Sequence, residues 1–211
     1  MDVVSRKKKI IIYDANSIIY YCFLHEEKIK GRTVTIRVME FTNKIQNLTE
    51  QFIKSGFEIV TISGVMNEIY NKGIAKIVEE FCDDYRTKDL IGLPDRMRIS
   101  DRIKLRLARK TEEKIKRLQN KTWFTVVEYE PADKDIERVK SFYESLSGTP
   151  KMVEHMKKKR TREPYPSDVD MSLLIYSKES KAPIVTNDSD LIDFKYELES
   201  QGLCFGIIVD P

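Results

Sequence analysis

Apolar residues follow two rhythms along this chain. Short continuous runs rich in β-branched residues occur at Lys8–Tyr13, Glu58–Ile62, Trp123–Val127, Pro183–Val185 and Leu203–Val209. Each predicts a strand buried on both faces. Between them, apolar positions recur every three or four residues. That spacing predicts helices over Ala15–Ile29, Val34–Ser55, Ser63 to about Phe81, Ser100 to about Asn120, Pro131–Leu146, Val169–Lys178 and Leu191–Glu199, with a short helix inside Gly148–Ser167. Val38, Phe41, Ile45, Leu48 and Phe52 set the second helix, which Gly56 stops. Val65, Ile69, Ile74 and Ile77 set the third, with Ser63 as its expected cap. Pro131 lies near a helix start, where a missing N–H costs nothing. Asp83–Pro94 is expected to be irregular.

Strands alternate with helices throughout, so the pattern predicts an α/β protein with a parallel sheet and helices on both faces. No internal repeat or low-complexity tract interrupts it. Residues 1–211 form one expected domain, with a basic helical insertion at about 83–121 and a second basic segment at about 151–166.

Composition adds bounds. Of 211 residues, 41% are hydrophobic and 34% charged, which suits a soluble globular domain with a highly charged surface. Net charge is only +3, so partners must be sought in charge distribution rather than in the total. Cys22, Cys82 and Cys204 are widely spaced in apolar runs, without a CxxC pair. They predict buried free thiols in a reducing cytoplasm rather than zinc ligands or a disulfide framework. The basic run Arg6–Lys9 precedes apolar Ile10–Tyr13, but Asp14 ends that run far short of a signal or membrane segment. No Gly-rich phosphate loop is present, which argues against P-loop nucleotide hydrolysis.

The candidate chemistry lies where open parallel sheets bind ligands, at the carboxyl ends of strands. Asp14 follows the first strand. Asp188 and Asp190 follow the fourth. Glu68 lies on the helix after the second, and Asp168 and Asp170 open the helix after Pro166. Carboxylates gathered together repel one another and need protons, basic partners or cations. Hard oxygen ligands suit magnesium or manganese. Each Asp taken singly is more often a helix cap, and Glu68 alone would be a solvated helix residue.

The order of these residues resembles that of the PIN-domain nucleases. Tyr13-Asp14-Ala15-Asn16-Ser17-Ile18-Ile19 is similar to the family's opening motif. Ile62-Ser63 to Glu68-Ile69 looks like the second, Ser167-Asp168-Val169-Asp170 to Leu173-Leu174 the third, and Pro183 to Leu191 the fourth. The resemblance spans the chain and implies a three-layer α/β/α fold with a five-stranded parallel sheet. It implies an endoribonuclease dependent on Mg2+ or Mn2+, with a metal-activated water hydrolysing RNA. Asp14, Glu68, Asp170 and Asp188 would be the catalytic, metal-holding quartet, with Asp190 a further metal ligand. Asn16 and Thr186 would support them. Asp168 competes with Asp170 for the third position; Asp170 fits the spacing better, and Asp168 would then cap its helix.

The chain exceeds the small PIN toxins between Glu68 and Asp170, and the excess is basic. Lys157, Lys158, Lys159, Arg160 and Arg162 form one candidate RNA-binding cluster. Arg106, Arg109 and Lys110 belong to a longer basic stretch from Arg96 to Arg117. The bland alternative for that stretch is a solvated helix face paired with Glu112 and Glu113. His25 and His155 are too distant in sequence to suggest a metal motif and read as surface or packing residues. Rival readings are a catalytically silent PIN-like RNA-binding or scaffold subunit, and a DNA flap nuclease whose added DNA-binding motif is absent. A homodimer or a protein partner is left open; a membrane is not expected.

Overall fold

In a computed structural model of the protein, the described residues are 9–29, 32–37, 39–83, 99–159 and 163–209. Strand β1, Lys9–Tyr13, is followed by helix α1, Ala15–Cys22. Strands β2, Leu24–Ile29, and β3, Arg32–Arg37, come next, then helix α2, Met39–Lys54. Strand β4, Phe57–Ile62, leads into helices α3, Ser63–Lys72, and α4, Ile74–Asp83. Helix α5, Asp101–Gln119, precedes strand β5, Phe124–Val127. Helices α6, Asp133–Ser145, α7, Pro150–Lys158, and α8, Asp168–Ser180, follow. Strand β6, Ile184–Thr186, short helices α9, Ser189–Ile192, and α10, Lys195–Ser200, and strand β7, Ile207–Val209, complete the order.

Five strands form one parallel sheet in the order β5-β4-β1-β6-β7. Its centre is β1, where Ile12 stands beside Val60 on one side and Ile184 on the other. Ile11, Ile12, Tyr13, Ile59, Val60 and Ile62 are buried, in keeping with the apolar residues that dominate β1 and β4. Burying each such side chain stabilises the fold by roughly 1.5–3 kcal/mol, so exchanging a central strand for an edge strand would be costly. Helix α1 packs on α2 and α5, and α2 lies on β4. Helix α3 packs on β4, β5 and α8, and α6 packs on α8. This arrangement is compatible with a three-layer α/β/α fold. Helix α5 buries Leu107, Ala108, Thr111, Ile115 and Leu118 against that body, so the basic insertion contributes to the core.

Several boundaries differ from the sequence reading. The first helix stops at Cys22 instead of Ile29, and the second starts at Met39 instead of Val34. Between them β2 and β3 form an antiparallel pair, separate from the main sheet. Thr33, Val34, Thr35 and Ile36 are β-branched residues of the kind that pleated strands accommodate. The third expected helix is two, broken at Gly73, whose φ of 80° is open to glycine at little steric cost. Ser63 is the first residue of α3 and not its cap; Ile62 holds that position without a side-chain bond. Pro131 lies ahead of α6, which begins at Asp133. The helix expected over Leu191–Glu199 is split into α9 and α10. The segment 84–94, expected to be irregular, lies outside the described residues.

Cys22, Cys82 and Cys204 are buried free thiols, as expected. Among the described residues no helix is long and apolar enough to cross a membrane.

Candidate acidic site

The chain runs from β1 outward to β4 and β5 on one side, then returns to β6 and β7 on the other. The connections leaving β1 and β6 therefore diverge, and a crevice opens at their carboxyl ends. Asp14 and Thr186 occupy that point.

Asp14 is buried, at 3% exposure, and caps α1. Its Oδ1 accepts the Ser17 N–H at 2.6 Å, and its Oδ2 accepts the Thr186 hydroxyl at 2.5 Å. Ser17 Oγ donates to the Val185 carbonyl at 2.9 Å, closing a second link between the two segments. Thr186 Oγ1 also accepts the Asp188 N–H at 2.9 Å. Asp188 caps α9 by accepting the Asp190 N–H at 2.8 Å. Both residues are caps, and both also stand among other acids.

Asp170 lies in the first turn of α8. Ser167, not Asp168, caps that helix: its Oγ accepts the Asp170 N–H at 3.2 Å and donates to Asp170 Oδ2 at 2.6 Å. Asp168 is the first helical residue and is exposed. Glu68 projects from the second turn of α3, the helix packed against α8. Beside it lies a cleft of about 210 Å3 lined by Asn16, Glu68, Ile19, Ile69 and Ile77, with Lys72 at its wall. Lys72 is paired with Glu80 at 2.9 Å across the break between α3 and α4.

Asp188 acts on each of the other three acids. Desolvation pushes Asp14 from the ordinary 3.8 up to about 6, against the Thr186 and Ser17 hydrogen bonds, and Asp188 adds to the rise. Asp170 is pushed to about 8, first by desolvation and then by Asp188, Glu68 and Asp14, with Ser167 opposing. Glu68 is raised by desolvation and Asp188, against Lys72. Asp188 is raised by desolvation and Asp190, against its bond from the Asp190 N–H and the nearby Lys159 and His155. None of the four carboxylates is in an ion pair with a described Lys, Arg or His; Lys72, His155 and Lys159 pair with other acids. Asn187 Oδ1, between Thr186 and Asp188, is buried without a hydrogen-bond partner.

This donor set, hard carboxylate oxygens short of positive charge, fits a divalent cation chemically. Among the described residues, no group of three or more His, Cys, Asp or Glu side chains is placed to hold a metal ion. Asp190 differs from its neighbours. Its Oδ2 is 2.8 Å from Lys159 Nζ and its Oδ1 is 2.9 Å from His155 Nε2.

The basic residues divide likewise. Lys157 and Lys158 are exposed, and Lys158 lies 3.3 Å from Glu154. Lys159 is turned inward, to Asp190 and to the Tyr165 carbonyl at 2.6 Å, so it does not share its neighbours' solvated position. Arg160, Arg162, Arg96 and Arg98 lie outside the described residues. Arg106 and Arg109 are exposed on α5 and Lys110 is half-buried. The expected pairs on that helix are present, Lys116 with Glu112 at 2.6 Å and Arg117 with Glu113 at 3.8 Å. His155, read from sequence as a surface or packing residue, is buried between Asp190 and Asp193 and packs on Phe194. The sequence signal for it is complementary spacing: His155 and Lys159 at i, i+4 opposite Asp190 and Asp193 at i, i+3.

Comparison with protein families, curated proteins and solved structures found no match to this chain.

Proposed function

We propose that this chain is a divalent-metal-dependent endoribonuclease of the PIN type. The observation that carries the reading is the gathering of carboxylates from four separate segments, with the Thr186 hydroxyl tying Asp14 to the Asp188 turn, Asp188 raising the other three, and none of the four paired with a Lys, Arg or His among the described residues. Such an arrangement is electrostatically costly unless protons or cations relieve it. Asp14, Glu68, Asp170 and Asp188 are the residues that would hold Mg2+ or Mn2+. A bound ion of this kind supplies Lewis acidity at a phosphoryl oxygen and makes water a stronger nucleophile.

The chain's own contribution is placement. Thr186 donates to Asp14 and accepts from the Asp188 N–H, so one hydroxyl spaces two of the acids. Ser167 fixes Asp170 in the same way. Asn16 and the apolar walls of the adjoining cleft form the surface that a nucleotide beside the scissile phosphate would meet. The outward-facing Lys157 and Lys158, with Arg106 and Arg109, are candidate contacts to the RNA backbone. Three buried thiols suit a reducing cytoplasmic setting.

The test is cleavage of single-stranded and structured RNA with Mn2+ or Mg2+, with and without EDTA, by the natural chain and by Asp14→Asn. Metal-dependent cleavage lost in the variant supports the reading. Cleavage at the natural rate in excess EDTA overturns it.

A further inference from the structure

Lys159 closes helix α7 and is one turn beyond His155. Its side chain is only 11% exposed, although Lys157 and Lys158 beside it are exposed. Removing a cation from water is costly and is offset only by well-placed acceptors. Lys159 has two: Asp190 Oδ2 at 2.8 Å and the Tyr165 carbonyl at 2.6 Å.

Those acceptors belong to the two segments that carry Asp188 and Asp170. Tyr165 is two residues before Ser167, which holds Asp170. Asp190 gives its N–H to Asp188 Oδ1. The second segment is fastened further: His155 Nε2 is 2.9 Å from Asp190 Oδ1, and its Nδ1 is 2.9 Å from Asp193 Oδ2. Tyr143 donates its hydroxyl to the Asp190 carbonyl at 2.8 Å. Phe194 packs edge-on against both the His155 and Tyr143 rings.

We propose that Lys159 is a positioning residue, an internal strut that with His155 sets Asp170 and Asp188 relative to each other, and not a contact to RNA phosphate. This rests on the reading of those acids as cation ligands. Lys159 and His155 each stand within 2.9 Å of an Asp190 carboxylate oxygen, so Asp190 serves by holding the turn. Groups that orient ligands in this way are worth about 10- to 100-fold in metal affinity.

The full-length chain is tested with Mn2+ alone by calorimetry, by amide hydrogen exchange, and by RNA affinity over a salt series. Lys159→Met keeps the length of the side chain and removes its charge. It should weaken Mn2+ binding about 10- to 100-fold. It should also speed exchange at Asp170, Met171, Asp188 and Asp190 while leaving the central strands protected. RNA affinity should keep its salt slope. Where cleavage is measured, kcat should fall with KM unchanged. Lys159→Arg, which still offers donors to both acceptors, should restore most of the Mn2+ affinity, and Lys157→Ala should not alter it. If Lys159→Met does not fold, Asp190→Asn gives the same readouts from the other end of the strut.

Natural Mn2+ affinity and natural exchange in Lys159→Met overturn the proposal, as does a salt slope lowered by about 0.7. If the natural chain binds Mn2+ without cleaving RNA, the nuclease reading fails and the strut is judged on affinity. If it binds no Mn2+, the cation reading fails, and exchange alone decides whether Lys159 joins the two segments.

Discussion

Asp188 and Asp190 are two residues apart, and their surroundings are opposite. Asp188 raises Asp14, Glu68 and Asp170, each of them raised first by desolvation. Asp190 is held by a lysine and a histidine whose side chains are almost wholly buried. The difference separates two uses of buried charge. A carboxylate with one oxygen on an ammonium and the other beside an imidazole fixes a turn. A carboxylate left beside its own kind stores a demand for positive charge that a metal can meet.

The largest expected effect tests that separation by activity. Asp14→Asn and Asp188→Asn should each lower metal-dependent RNA cleavage by about 100-fold or more, because a ligand charge is lost while the cap is kept. Asp190→Asn should lower it by about 10- to 100-fold, through the position of its neighbour. Initial rates under saturating Mn2+ decide the order. Equal losses at Asp188 and Asp190 would erase the distinction.

Stability separates the two sides next. His155→Ala leaves Asp190 and Asp193 without their buried partner and should destabilise the fold by about 3 kcal/mol. Denaturant midpoints measure this. On the acid side the sign reverses. Folded Asp14 and Asp170 protonate at about 6 and about 8 against an ordinary 3.8, so from about pH 4 to 8 the folded chain holds more protons than the unfolded one. Metal-free stability should therefore fall as pH rises through that window. For fully buried Asp14 the loss is roughly 3 kcal/mol, complete above about pH 6. Asp170→Asn should raise the metal-free Tm at pH 8 and flatten its pH dependence, and Mn2+ should do the same to the natural chain. A metal-free Tm that climbs from pH 4 to 8 in step with these groups would contradict the repulsion.

The fold was legible in sequence for one reason: β1, β4 and β6 carry buried apolar stretches, and Asp14 and Asp188 sit just beyond strand ends. Glu68 and Asp170, which lie inside helices, were singled out by the resemblance in motif order, whereas the parallel sheet follows from local pattern. The hairpin did not, because Val34, Val38, Phe41 and Ile45 recur at helical spacing and carry the helix period back across β3. Gly73 falls inside the run that reads as one helix from Ser63 to about Phe81, and only its positive φ reveals the break. Lys159 was the least legible residue. It sits in an unbroken basic run, and nothing local distinguishes an ammonium paired with a carboxylate 31 positions away from one in water.

The smallest expected effect concerns the lysines that stay outside. Lys158 and Glu154 are 61% and 73% exposed, so their 3.3 Å pair stabilises the fold little and can exchange for a phosphate at little cost. Lys157→Ala with Lys158→Ala should leave Tm and Mn2+ affinity unchanged. If both side chains meet a single-stranded RNA backbone, each lost contact lowers the slope of log affinity against log salt by about 0.7. The chemical step at saturating RNA should be unaffected, because neither residue reaches the acids. An unchanged slope would assign Lys157 and Lys158 to a solvated helix face and direct the RNA path to the exposed Arg106 and Arg109 of α5. Either result keeps Lys159 distinct: its neighbours act, if at all, through salt-sensitive contacts, whereas a strut between Asp190 and Tyr165 acts through the geometry of the acids.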